Sequence, residues 1–157
     1  MDKKELLSYL IIIVAVVLCR TFLFTLIRVN GESMMTTLQD GNIMILKKID
    51  KNIDRFDIVV VNYKNEKIIK RVIGLPEEEV EYKNNVLYID GKEVEEEYGS
   101  NLTKDFKDYC GKDEYFVMGD NRGNSKDSRM IGCVNKNDIV GSTDLRLFPI
   151  NKIGLVD

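Results

Sequence analysis

The chain has 157 residues, 44% of them hydrophobic and 31% charged, enough for one modest core and unlike the composition of a disordered chain or a fibre. A net charge of -3, from 23 basic and 26 acidic residues, argues against the basic face that a nucleic-acid partner requires. The absence of histidine excludes Ser-His-Asp and Cys-His catalysis and removes the commonest zinc ligand, so any general base must be Lys, Asp, Glu or Tyr.

At the amino terminus, the run from Leu6 to Cys19, LLSYLIIIVAVVLC, is uncharged, and apolar character resumes after Arg20 in TFLFTLI. The uncharged run is shorter than the about 17 to 25 residues of a membrane-spanning helix. Arg20 can extend its stem and leave its guanidinium among headgroups, which lengthens the expected span to roughly residues 4–22. A cleaved secretory signal is the alternative, since Lys3 and Lys4 precede an apolar stretch of suitable length. No Ala-x-Ala-like site follows it, so a retained anchor is the reading adopted. The expected organisation is a short amino terminus (1–5), a transmembrane helix with an interface segment (6–27) and a β domain (28–157).

From Val29 onward, short apolar runs separated by turn signals predict a mainly β domain. NIMILKK, FDIVVVNY, KIIKRVIGL, NNVLYIDGKEV and EYFVMGD are the predicted strands, with Asn84-Asn85 and Asp90-Gly91 as hairpin turns. Residues 93–114, rich in glutamate and poor in apolar side chains, predict an exposed loop or short helix. Of the three cysteines, Cys19, Cys110 and Cys133, none forms a CxxC pair, and neither a metal nor a cofactor is expected. A Cys110–Cys133 disulfide stays open, because a separation along the chain says nothing about distance in space.

Three segments contain groups able to do chemistry. Ser33 lies in VNGESMMTTLQDGN, where Ser and Gly are ordinary turn formers, so Ser33 alone reads as a turn residue. In KIIKRVIG, strand alternation puts Lys70 on one face with Ile68 and Val72. An exposed lysine is protonated at neutral pH and useless as a base, but burial beside β-branched side chains lowers its pKa by roughly 2 to 3 units. The competing reading is a lysine snorkelling off a two-sided strand. GDNRGNSKDSRMIGCV, residues 119–134, packs Gly, Asp, Asn, Ser and two arginines into a turn-rich segment, either a plain loop or a brace for a buried site through Ser125, Asp127 and Arg129.

In this order, RTFLF, VNGESMMTTL, GNIMILKK, FDIVVVNY, KIIKRVIGLP and GDNRGNSKDSRMIGCV resemble type I signal peptidases, the bacterial Ser-Lys proteases of the extracytoplasmic membrane face. The resemblance covers nearly the whole chain. It implies Ser33 as nucleophile, Lys70 as general base, Ser125 orienting the lysine amine, and Asp127, Arg129, Asp120 and Arg122 as supports. Met34 would line the substrate pocket, and Phe22, Phe24 and Leu26 would belong to an apolar apron resting on membrane lipid. The implied partners are signal peptides of exported preproteins, held as an added strand, and the implied location is the cell membrane, single-pass, with the catalytic domain outside.

The chain departs from the family pattern at four places, five residues in all. Thr36 replaces a proline, Asn42 an aspartate, Phe56 a glycine, and Glu77-Glu78 a Gly-Asp pair. Gly31 stands where some members have a serine that supplies a second oxyanion donor. A non-enzymatic relative assisting the assembly of surface polymers such as pili is the main alternative, and retention of both Ser33 and Lys70 counts against it. A self-cleaving repressor of related chemistry would need a DNA-binding domain where this chain has its apolar segment.

Overall fold

The computed structural model describes residues 2–48, 52–99 and 102–156, without the side chains of Cys19, Thr21 and Phe22. Lys3–Phe22 form helix α1, a run free of Gly and Pro whose described apolar side chains from Leu6 to Leu18 are exposed. Among the described residues no helix is long and apolar enough to cross a membrane. The helix ends at Phe22 and the chain continues directly into strand β1 (Phe24–Arg28), so the sheet begins ahead of the boundary expected at residue 28.

The predicted apolar runs form β2 (Ile43–Lys47), β3 (Ile58–Tyr63) and β4 (Glu66–Gly74). In β2 the alternation is direct: Met44 and Leu46 are buried while their neighbours are half-buried. A small antiparallel sheet follows, ordered β7-β6-β5-β8, from β5 (Glu79–Lys83), β6 (Val86–Ile89), β7 (Lys92–Val94) and β8 (Phe106–Tyr109). Asn84 and Asn85, both at positive φ, make the first hairpin turn, and Asp90-Gly91 the second. The chain then forms β9 (Glu114–Met118), the short helix α2 (Ser128–Ile131), β10 (Val134–Asn135), β11 (Ile139–Phe148) and β12 (Gly154–Leu155). The larger sheet runs β1-β2-β11-β3-β4-β9-β10, with β12 also pairing β11, and every pairing is antiparallel.

β8 corrects the expectation of a loop or short helix over 93–114. One aromatic residue suffices to make this segment a strand: Phe106 packs between Tyr82 and Phe116, with ring centroids 5.3 and 5.4 Å away. Across the sheet Lys107 pairs with Glu79 at 2.7 Å, so part of the charge run is a cross-strand ladder. Cys110, just after β8, is disulfide-bonded to Cys133, just after α2, with their Cα atoms 5.7 Å apart. That bond joins the small sheet to the end of the 119–134 segment.

Three buried clusters hold the two sheets. Val80, Tyr82, Leu87, Phe116 and Met118 lie beneath the small sheet, and Val59, Val61, Val72 and Val117 are central to the large one. The third, Val29, Met34, Leu38, Met44 and Ile58, lies under the turn that contains Ser33. Full burial of such side chains stabilises by about 1.5–3 kcal/mol each, which anchors that turn from below.

Candidate active site

Ser33 lies on the loop between β1 and β2, whose ends are closed by Gly41 N–H donating to Val29 O at 2.9 Å and Gly31 N–H donating to Asp40 Oδ1 at 2.8 Å. Within it, Met35 N–H bonds Glu32 O at 3.1 Å and Leu38 N–H bonds Met34 O at 2.8 Å. Met34 and Leu38 point into the core, 1% and 0% exposed. Two buried anchors on either side of one turn of chain leave the Ser33 side chain little choice of position.

Lys70 comes to this serine from β4, where it is opposite Val59 of β3. Its Nζ is 2.7 Å from Ser33 Oγ and donates to Ile69 O at 2.8 Å, and the residue is only 3% exposed. Burial lowers the lysine pKa from 10.5 to about 8, against the opposing charges of Asp127 and then Asp120. A substantial neutral fraction then exists near neutral pH, about one in ten at pH 7. A neutral amine in contact with a hydroxyl is the pair needed to activate an oxygen nucleophile.

Arg71, the next residue, points to the opposite side of the strand and is equally buried. Its Nε and Nη2 grip Asp120 at 2.9 and 2.8 Å, its Nη1 donates to Phe56 O at 2.8 Å, and its guanidinium stacks on Tyr98 at 3.5 Å from the ring centroid. Asp120 also accepts from Thr37 Oγ1 at 2.5 Å, four residues beyond the serine. Arg122 is buried in a separate network with Tyr82, Glu96 and Thr103, and donates to Gly119 O at 3.2 Å.

Asp127 caps α2 and accepts from Arg129 Nε and Nη2, both at 2.8 Å, and from Gly119 N–H at 3.0 Å. Burial pushes its carboxyl up, but the Arg129 hydrogen bonds, the Gly119 amide and the nearby Ser125 hydroxyl outweigh this and hold it below the ordinary 3.8. The segment reaches the serine through Asn121, whose backbone N–H donates to Ser33 O at 3.0 Å and whose Nδ2 donates to Glu32 O at 3.1 Å. Gly119 permits the approach: a Cβ there would fall 2.2 Å from Ser125 Oγ and 2.4 Å from Ser33 O.

A groove of about 700 Å³ opens beside Ser33 and Lys70, with Leu26, Val29, Met34 and Ile69 among its apolar walls. The edges of β1 and of the first half of β4 flank it. β1 pairs only with β2, and β4 meets β9 only from Arg71 onward, so each offers backbone groups to an extended chain.

The model of the family described as "Signal peptidase, peptidase S26" matches residues 3–148. The chain belongs to the signal peptidase family, peptidase S26. It is 44% identical to the signal peptidase I P of Bacillus subtilis subsp. natto, over 93% of this chain and 89% of that one. It is 35% identical to a signal peptidase I of Streptococcus pneumoniae serotype 4, over 96% and 95%. Among solved structures, a signal peptidase I from Enterococcus faecalis V583 superposes with a TM-score of 0.53 at 34% identity, over 57% of this chain and 94% of that one. Membership in the signal peptidase family includes the mainly β fold and the enzyme class, a peptide-bond hydrolase.

One expected hydrogen bond, between Ser125 and the Lys70 amine, is not among the described contacts. The Lys70 amine meets Ser33 Oγ and Ile69 O, and Ser125 Oγ, although buried, makes no hydrogen bond of normal geometry. Ser125 packs against Gly119, close to Ser33 O. Two of the departures from the signal peptidase pattern have a visible backbone consequence. Phe56 and Glu77, each in place of a glycine, have φ of 74° and 64°, in the left-handed region that disfavours side chains. Asn42 is buried and its Oδ1 accepts Gln39 N–H at 3.1 Å, a bond that does not need the aspartate's charge.

Arg71, Thr37, Asn121 and Gly119 were not singled out from sequence. The usable signal for Arg71 was the uninterrupted IVVV of the neighbouring strand, which marks a sheet buried on both faces and so a buried charge on the side away from Lys70.

Proposed function

We propose that this protein removes amino-terminal signal peptides from exported preproteins, with Ser33 as nucleophile and Lys70 as general base. The observation that carries the reading is the 2.7 Å contact between Lys70 Nζ and Ser33 Oγ around an amine whose burial lowers its pKa to about 8. Neutral Lys70 takes the Ser33 proton as Oγ attacks the scissile carbonyl. The ammonium then protonates the departing amine, and the freed lysine activates water to cleave the acyl-enzyme. Ser33 N–H supports the developing oxyanion. Ile69 O, accepting from the amine, keeps Nζ turned toward the serine.

The substrate binds as an extended strand in the groove between β1 and β4, with small side chains against Met34, Val29 and Ile69. Asp120, Arg122, Asp127 and Arg129 support the site as buried ion pairs. Ser125 lies beside the serine loop where Gly119 approaches Ser33 O.

Helix α1 tethers the enzyme to the membrane, with residues 1–5 inside and the β domain, which begins with β1 at Phe24, outside the cytoplasm. Its exposed apolar side chains support this, as do Phe24 and Leu26, 45% and 63% exposed beside the groove. Phe22, the third member of the expected apron, lies outside the described side chains. Both enzyme and preprotein then diffuse in one plane, and the cleavage site meets Ser33 at a set height.

No observation favours the polymer-assembly alternative. The test is cleavage of an Ala-x-Ala preprotein by the purified full chain in detergent. Wild type cuts and Ser33→Ala does not. A chain that cuts nothing, or a Ser33→Ala variant that cuts like wild type, overturns the reading.

A further inference from the structure

The peptide unit joining Glu32 to Ser33 has one end in the proposed chemistry and the other held by a side chain with no role assigned so far. Its N–H is that of Ser33, which donates to no acceptor among the described residues. Its carbonyl, Glu32 O, accepts from Asn121 Nδ2 at 3.1 Å and from Met35 N–H at 3.1 Å. The bond is trans, so the C=O and N–H of the unit are rigidly antiparallel in one plane. Fixing where the oxygen points therefore fixes where the Ser33 N–H points. The Asn121 backbone N–H holds the following unit by donating to Ser33 O at 3.0 Å, so Asn121 grips both peptides that flank the nucleophile.

We infer that Asn121 is a positioning residue for the oxyanion site, its carboxamide setting the direction of the Ser33 N–H through the shared Glu32–Ser33 peptide plane. The assignment of nitrogen rather than oxygen toward Glu32 follows from the partner, a carbonyl that can only accept. A hydrogen bond to the carbonyl of a peptide also polarises its N–H, which strengthens the donor facing the developing negative charge. The contribution appears only where charge develops on the substrate oxygen, so it acts on turnover rather than on ground-state binding. Direct loss of an oxyanion donor costs about 10²–10³ in kcat. Loss of the group that aims the donor costs less, because Met35 N–H still holds Glu32 O.

This inference rests on Ser33 being the nucleophile, and the experiment separates the two. Wild type, Ser33→Ala, Asn121→Ala and Asn121→Asp are compared as full chains in detergent on one preprotein, with inhibition by a peptide aldehyde whose adduct puts an oxygen in the oxyanion position. Asn121→Ala lowers kcat about tenfold with KM within twofold, about the range of a misaligned donor. Asn121→Asp, which turns an acceptor toward Glu32 O, lowers it at least as far. Aldehyde affinity falls by the same factor as kcat, and the midpoint of the pH profile stays where it was, because Lys70 is untouched.

The inference is overturned by kcat within twofold of wild type in both variants, by a loss confined to KM, or by a kcat loss with unchanged aldehyde affinity. Unfolding of both variants also overturns it, since the side chain would then serve the fold alone. A Ser33→Ala chain that stays active overturns the underlying reading. An inactive Ser33→Ala beside normal Asn121 variants overturns only the role of Asn121.

Discussion

Lys70 and Arg71 are adjacent on β4 and both buried, 3% and 1% exposed, yet they serve opposite electrostatic ends. The lysine meets a neutral hydroxyl and its charged form is disfavoured, whereas the arginine meets the Asp120 carboxylate in a two-point ion pair. Asp120 thus neutralises one cation while raising the pKa of the other from a distance.

Asp120→Asn should therefore change two measurements at once. Leaving Arg71 buried without its counter-charge costs about 3–5 kcal/mol of stability, read by urea unfolding. Removing a charge that raises the Lys70 pKa also moves the alkaline rise of kcat/KM below pH 8. A midpoint that stayed put or moved upward would contradict the electrostatic role given to Asp120.

The wild-type rate should climb through an apparent pKa of about 8 as Lys70 loses its proton. Lys70→Arg abolishes turnover, because a guanidinium stays charged at every accessible pH and cannot accept the serine proton. Activity of Lys70→Arg within tenfold of wild type would remove Lys70 as the base.

Lys70 also links stability to pH. Its folded pKa of about 8 lies below the unfolded 10.5, so between these values the unfolded chain binds more protons and stability rises with pH. The penalty is complete below pH 8 and gone above 10.5, and this difference corresponds to about 3 kcal/mol. Lys70→Met, which keeps the length and discards the charge, should be more stable than wild type at pH 7 by up to that amount. The gain should shrink toward zero by pH 10.5. Denaturation at the two pH values measures it, and an equal gain at both would rule out the linkage.

Glu77 is exposed and has φ of 64° where the signal peptidase pattern has glycine. Glu77→Gly should relieve the left-handed penalty and raise stability by about 1 kcal/mol, with kcat unchanged. Phe56→Gly, at φ of 74°, should fail to show the same gain, because its ring packs on Tyr98 at 5.4 Å. Thermal melts of the two variants side by side distinguish backbone relief from lost packing.

Much of the fold was legible because its signals are local. Met44 and Leu46 alternate with half-buried neighbours in the way a half-buried strand requires, and Asn84-Asn85 and Asp90-Gly91 are turn pairs by their own backbone preferences. β8 was not legible, since its one inward-packing aromatic ring is Phe106, and what that ring packs against comes from two other parts of the chain. The Cys110–Cys133 bond was undecided for the same reason. The contacts of Ser125 were not legible either, because a motif names a neighbourhood and not which atoms in it touch.

By itself the sequence determined the chemistry available: no histidine, one serine in a glycine turn, one lysine phased into an apolar strand, and an ordered set of motifs. Only the tertiary structure decided that Lys70 reaches Ser33 across 37 positions of chain, that Arg71 is neutralised by Asp120 behind it, and that Asn121 grips the peptides on either side of the serine. Residue type and strand phase are properties of a few neighbouring residues. Contact distance and desolvation depend on segments that meet only when the sheets close, and it is desolvation that brings the lysine down to a pKa of about 8.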